Sequence, residues 1–233
     1  MTVFTLTPEE QEAIWLSLKI AGIAVTASLP IGILVAFFFA RYDFYGKELL
    51  EGILHLPMVL PPVVTGYALL LLLGRNGPLG SWLYDVFGIT LAFRWTGAAV
   101  AAAVMSFPLM VRSMRLSLEA IDRRLARAAR TLGAGPVRVF LTITLPLSMP
   151  GIVAGAILAF GRSLGEFGAT IAFVSNIPGE TRTLSLAIFT YLQVPGGDAP
   201  ALRLALLSVA LSFLALVGSD VLSRRAIRAI HGL

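Results

Sequence analysis

The sequence predicts an all-α, polytopic membrane helical bundle with about five transmembrane helices, and three observations carry that expectation. Hydrophobic residues make up 57% of the chain against 13% charged, where soluble domains average about 25% charged. The apolar residues gather into runs that reach the roughly 20 residues a membrane helix needs. The basic residues stand mostly at the ends of those runs. Membrane topology therefore accounts for the net charge of +5, and nucleic acid is not an expected partner. Residues 1–233 read as a single transmembrane domain. No cysteine is present, which excludes disulfides and thiolate metal sites.

The first apolar run covers 14–40. Glu9, Glu10 and Glu12 precede it with no basic residue. A cleaved signal peptide needs a positive leading region, so this span is expected to be retained, with its N-terminus outside. Lys19 is expected to snorkel at its outer end.

The second run, 49–73, contains Leu56-Pro57-Met58-Val59-Leu60-Pro61-Pro62. Each proline removes a donor and crowds the preceding turn. Two compatible readings follow: a packing kink, or a broken helix lining a translocation path at Pro61 and Pro62. In hydrocarbon the freed carbonyls then need partners from neighbouring helices or water. His55 reads as a hydrogen-bonded packing residue.

The third run, 96–111, is short and extends upstream towards Phe93 if it is to span. The fourth, 145–174, carries Gly151, Gly155, Gly161, Gly165 and Gly168, spaced for close helix contact at a dimer interface or pore wall. Pro178-Gly179 then makes a turn. Leu184, Leu186, Ile188, Phe189 and Leu192 follow on roughly one helical face, predicting a short amphipathic helix at the outer surface. Pro195-Gly196-Gly197 ends it, and the fifth run covers 202–222.

Lysine and arginine set the orientation. Arg41 and Lys47, seven arginines from Arg112 to Arg138, and Arg224, Arg225 and Arg228 put twelve on one side. Arg75, Arg94, Arg182 and Arg203 put four on the other. The richer side is cytoplasmic, which predicts the N-terminus outside and the C-terminus inside.

The basic loop of about 119–146 is the most informative segment. Arg123, Arg127 and Arg130 stand at i, i+4 and i+7 and share a helical face. Leu125, Ala128, Ala129 and Leu132 fill the other sides. Gly133 and Gly135, either side of Ala134, are both expected to accept positive φ and end the helix, and Pro136 to open the next one, which carries Arg138. Two short helices with a sharp turn are predicted. One reading makes them a topology anchor on anionic head groups, each arginine contributing about 1 kcal/mol. The other makes them a docking element, whose small residues let a partner's groove approach the backbone.

Arg162 and Glu166 lie i, i+4 in the fourth run. An ionisable pair inside a span is a functional candidate by default. It reads either as a pair that fixes helix packing near the cytoplasmic end, or as a gate that opens as the cytoplasmic helices move. Gly161-Arg162-Ser163-Leu164-Gly165 matches the G-x-S-x-G pattern of serine hydrolases. That makes an intramembrane serine protease, with Ser163 as nucleophile and His55 as base, a remote alternative, although the string lies in an apolar helix rather than a strand-turn-helix elbow. Neither lysine of the chain stands in a P-loop. Any ATP must be bound by another chain.

The string Ala128-Ala129-x3-Gly133-x9-Ile143-x-Leu145-Pro146 resembles the EAA loop of ABC-importer permeases. Arg127 stands where that motif usually has glutamate, which removes any ion pair the glutamate makes. Residues 56–66 (LPMVLPPVVTG), 165–170 (GEFGAT) and 176–183 (NIPGETRT) are similar to the molybdate-importer permeases. Tungstate, sulfate and thiosulfate permeases are the alternatives within that resemblance. It implies a type I ABC-importer permease fold in the bacterial inner membrane, with no cofactor and no catalysis of its own. It also implies a second copy of the chain, an ABC ATPase dimer in the cytoplasm on residues 127–138, a periplasmic oxyanion-binding protein outside, and membrane lipids around. An ion-gradient-driven secondary transporter is the other remote alternative, and would be expected to show more buried carboxylates or inverted repeats.

Overall fold

The computed structural model describes residues 6–231, with side chains to Gly218 apart from that of Ala215. All regular structure among the described residues is helical. Four single helices are long and apolar enough to cross a bilayer, and a sharply bent helix pair makes a fifth candidate. The expected all-α bundle of about five spans is what forms.

Helix α1 (Pro8–Arg41) starts on a capping box in which the Thr7 hydroxyl and Glu10 carboxylate satisfy each other's backbone amides. It packs along α5 (Trp95–Glu119), the central helix of the bundle. Ala21, Ala24, Ala98, Ala101 and Ala102 are almost wholly buried. In lipid, close approach of small residues is what holds helices together. On its other side α5 meets α8 (Leu145–Leu164), where a Cβ on Gly151 would stand 2.2 Å from the Ser117 Cβ.

Several elements depart from expectation. The third span runs to Glu119 rather than ending near 111, because Arg115 is neutralised by Glu51 at 2.7 Å and Glu119 at 2.6 Å. It does not extend to Phe93, whose φ of 60° interrupts the chain one residue before the Arg94 cap. The second run is two helices, α2 (Lys47–Val59) and α3 (Pro62–Leu73), bent by 111°. Leu60 precedes a proline and is extended, with ψ of 146°, and Pro62 opens α3. A short helix α4 (Pro78–Phe87) follows.

The basic loop forms α6 (Arg123–Thr131) and α7 (Pro136–Val139). From α7 the chain runs through a π-helical turn at Phe140–Thr144 directly into α8. Pro146 has no amide for the Thr142 carbonyl, and the helix widens just ahead of it, Leu145 bonding back to Phe140. The fourth run is itself broken at residues 165–167, before α9 (Gly168–Val174). The expected outer helix is α10 (Leu184–Tyr191), tied to α1 where the Leu184 amide donates to Ser17 Oγ at 2.7 Å. Helix α11 (Asp198–His231) contains the fifth run, and the side chains of Arg224, Arg225 and Arg228 lie outside the described residues.

Candidate functional site

Helix α6 is built as a two-faced rod. Asp122 caps it by accepting the Arg124 amide at 2.8 Å. At its other end Gly133 takes φ of +84°, and the Ala134 amide closes on the Ala129 carbonyl at 3.0 Å. Gly135 differs from expectation: its φ is −67° with ψ of 162°, because it serves as N-cap for α7 rather than as a left-handed stop. The Arg123, Arg127 and Arg130 face borders a cleft beside the end of α1, with all three arginines exposed at its rim. The opposite face looks outward, with Leu125 48% and Leu132 88% exposed and Ala128 exposed beside them. A soluble amphipathic helix hides its apolar face and exposes its charges. Here the apolar face is left uncovered. Arg127 and Arg138 are exposed and make no ion pair among the described residues.

At the far end of α8 stands the second group of expected residues. Glu166 is 3% exposed and bridges the break between α8 and α9. One carboxylate oxygen accepts from Arg162 Nη1 at 2.7 Å, and the other accepts the Ala169 amide at 2.8 Å in the first turn of α9. A helix N-terminus and a guanidinium thus share one buried carboxylate. The pair joins α8 to α9, at the end of α8 away from the basic hairpin. The helical rod from Pro136 to Leu164 that lies between them has 29 residues, about 40 Å at 1.5 Å per residue.

The broken span meets this joint. A Cβ on Gly168 would lie 2.6 Å from the Pro62 Cβ, and one on Gly66 would lie 2.4 Å from the Ala169 carbonyl oxygen. The start of α3 and the start of α9 are therefore in backbone-close contact. Pro62 at the break in one span thus meets Gly168, two residues after Glu166, whose carboxylate also holds Arg162, and Pro61 stands beside it as the N-cap of α3. Of the glycines in the fourth run, Gly151 and Gly155 pack on α5 and Gly168 on α3, while Gly161 and Gly165 have open space around them. Thr65 was not singled out in the sequence, yet it is buried one turn into α3 and its Oγ1 has no hydrogen-bond partner among the described residues. Its signal was a polar residue one turn after the proline pair.

Ser163 and His55 do not form a nucleophile–base pair. Ser163 lies inside α8 and its Oγ donates to the Ala102 carbonyl at 3.5 Å, while His55 Nδ1 lies 2.7 Å from the Glu51 carbonyl oxygen in its own helix. Lys19 places its ammonium 3.7 Å from the Trp95 ring centre, joining α1 to the start of α5. Among the described residues no three histidine, aspartate or glutamate side chains gather as a metal site.

The chain resembles known proteins along nearly its whole length. Residues 28–228 match the family model for the binding-protein-dependent transport system inner membrane component. The chain is 60% identical to the molybdenum transport system permease protein ModB of Escherichia coli K12, over 94% of this chain and 96% of that one. It is 55% identical to ModB of Haemophilus influenzae, over 93% and 94%. It is 38% identical to the sulfate transport system permease protein CysT of Escherichia coli K12, over 97% and 80%. Among solved structures, a bacterial ABC transporter for the import of alginate superposes with a TM-score of 0.73 at 18% identity, over 94% of this chain and 80% of that one. The likeness extends to the alginate transporter in complex with its pentasaccharide-bound periplasmic protein, with a TM-score of 0.72 at 18% identity, over 96% and 81%. At such identity the superposition speaks for the fold, that of a type I ABC-importer permease. The basic hairpin, the paired helix breaks and the family match over residues 28–228 agree: this chain is an inner-membrane, multi-pass permease of the binding-protein-dependent transport family.

Proposed function

We propose that the chain is the permease subunit of an ATP-driven importer of molybdate, working as two copies with two cytoplasmic ATPase chains and a periplasmic oxyanion-binding protein. The observation that carries the mechanism is mechanical continuity. A single helical rod runs from Pro136 at the foot of the hairpin, through the π-turn, to Leu164 beside the Glu166 joint. The uncovered Leu125–Leu132 face of α6 is the surface offered to the ATPase. Arg127, Ala128, Ala129, Arg130, Gly133 and Arg138 shape the hairpin that seats there, in the manner of an EAA loop.

ATP-driven closure of the partner dimer displaces the hairpin and with it α8. The rod ends where α9 meets α3, so its movement separates or closes the contact of Gly168 with Pro62 and of Gly66 with Ala169. Two arrangements of the partner are thereby converted into two arrangements of the path, which is alternating access. Glu166 offsets the charge of Arg162, so a passing dianion meets no strong trap and leaves readily. None of the α2 residues is buried, which leaves an apolar face for the second copy or for lipid. The binding protein docks on the outer loops after α3 and α9.

The choice of molybdate over sulfate rests on 60% identity with the one permease against 38% with the other. Tungstate shares molybdate's charge and shape and is expected to compete with it. The test is uptake of labelled molybdate into vesicles holding the chain, its cognate ATPase and the binding protein. Vanadate-sensitive uptake, displaced by tungstate and poorly by sulfate or thiosulfate, is the expected result. Uptake without ATP would reassign the chain to ion-gradient-driven transport. In the same vesicles Glu166→Gln is expected to loosen the coupling of ATP hydrolysis to uptake. Unchanged coupling in a normally assembled variant rejects the gate.

A further inference from the structure

The cleft side of the hairpin has a purpose of its own. Arg41, the last residue of α1, joins Arg123, Arg127 and Arg130 in lining a cleft of about 890 Å³. No acidic side chain lines it. Asp43, on the loop just after α1, is taken up by Lys47 at 2.8 Å, and that contact holds its carboxyl below the usual range. Four guanidinium groups around one cavity repel each other unless an anion lies among them. Arg41 also carries a direct sign of a missing partner: its Nη2 is shielded from solvent and has no hydrogen-bond partner among the described residues. Buried polar atoms are almost always satisfied, and a phosphate oxygen suits the guanidinium fork.

The rest of the lining says which anion. Leu34 and Val137 border the same cleft and are 63% and 69% exposed. Leu34 lies two helical turns nearer the apolar centre of α1 than Arg41. Phe38, Tyr42 and Phe44 cluster beside them, with Phe38 5.4 Å from Tyr42 and 5.0 Å from Phe44. Aromatic clusters of this kind mark the membrane interface, which puts the arginines at headgroup depth. A free inorganic anion has no use for an apolar wall below a basic rim. An amphiphile with a phosphate head needs both.

We propose that this cleft binds the phosphate headgroup of an anionic membrane phospholipid, with Arg41 and Arg130 on the phosphate and the acyl chains along Leu34 and Val137. The lipid fastens the coupling hairpin to α1 from the side opposite the exposed leucines, leaving the docking face free. The inference is independent of which oxyanion is carried.

The test uses the complex of this chain with its ATPase, reconstituted in phosphatidylcholine with a minor share of phosphatidylglycerol, then released for native mass spectrometry. Phosphatidylglycerol is expected to be retained in preference to phosphatidylcholine. Retention is expected to fall about fivefold for each of Arg41→Gln and Arg130→Gln, the worth of one basic residue at a charged headgroup. Excess inorganic phosphate or molybdate is expected to leave the lipid in place. Equal retention of the two lipids, or retention at the parent's level in both variants, overturns the proposal. Release by inorganic phosphate overturns it too, assigning the cleft to a free anion. Arg130 is exposed at the rim of the cleft, so its variant keeps the test open if Arg41→Gln disturbs folding.

Discussion

The two ends of the rod from Pro136 to Leu164 are built on opposite rules. At the hairpin end α6 has no buried residue, its glycine turn has open space around it, and its apolar side faces outward. At the joint Glu166 is buried and bonded on both oxygens, and Gly66 and Gly168 sit so close to the opposite helix that a methyl group would not fit. One end is shaped to be completed by another molecule. The other is already complete and can only change by switching between packed arrangements. Substitutions that remove or overfill packing at the joint should therefore appear first in stability, whereas the near-isosteric Glu166→Gln and substitutions on the outward face of the hairpin should appear first in coupling.

The largest stability effect is expected from Glu166→Ala, which strands Arg162 and uncaps α9 at once. Breaking a buried pair costs about 3–5 kcal/mol. Arg162 keeps about a third of its side chain exposed, so about 3 kcal/mol is expected, read from denaturant unfolding of the complex in detergent. A cost below about 1 kcal/mol would mean that the joint is not rigid. Next comes Gly66→Val, which drives a branched side chain against the Ala169 carbonyl. Overpacking of this kind costs about 1–3 kcal/mol, and the same denaturant titration measures it. The accompanying loss of uptake tests whether α3 and α9 move against each other during transport.

The sequence made the hairpin end easier to read than the joint, for a physical reason. The hairpin is local: arginines at i, i+4 and i+7, one glycine turn and one opening proline describe it without reference to the rest of the chain. Even there Gly135 departs from the left-handed role its sequence suggests, since a glycine ending one helix and a glycine capping the next look alike in sequence. The joint is tertiary. Prolines 61 and 62 announced a break, but its 111° angle follows from the way α3 lies against α9. The break at 165–167 falls inside a continuous apolar run, and only the contact of Glu166 with the Ala169 amide reveals it. The extent of α5 beyond 111 was hidden in part likewise, because one of the two carboxylates that neutralise Arg115, Glu51, comes from a different helix.

A smaller effect is expected at the turn of the hairpin. Gly133 holds φ of +84° with nothing near its missing Cβ, so Gly133→Ala meets no clash and pays only the left-handed backbone strain, about 1 kcal/mol. That strain falls on the hairpin alone, and the unfolding midpoint of the bundle should scarcely move. Amide hydrogen exchange across residues 129–136 should instead quicken, because the closing bond from Ala134 to Ala129 is the one the strain works against. Equal protection in variant and parent would mean that a partner, rather than the glycine, shapes the turn.

The smallest effect on stability belongs to Leu132→Asp, and it discriminates most sharply between the two ends. Leu132 is 88% exposed, so its side chain contributes almost nothing to the packing of this chain, and exposed substitutions usually stay within about 0.5 kcal/mol. If the outward face of α6 is the docking surface, a carboxylate placed there loses its water when the ATPase closes over it, a cost that only the assembled complex feels. The variant should therefore fold and insert as the parent does, yet retain less ATPase through purification and transport poorly. A variant that keeps its ATPase and its uptake would show that the apolar face meets no partner, and the rod would then have nothing to push it. A variant that unfolds would show that the leucine is covered by this chain itself. Only the separation of normal folding from lost assembly fits a surface left bare so that a second protein can complete it.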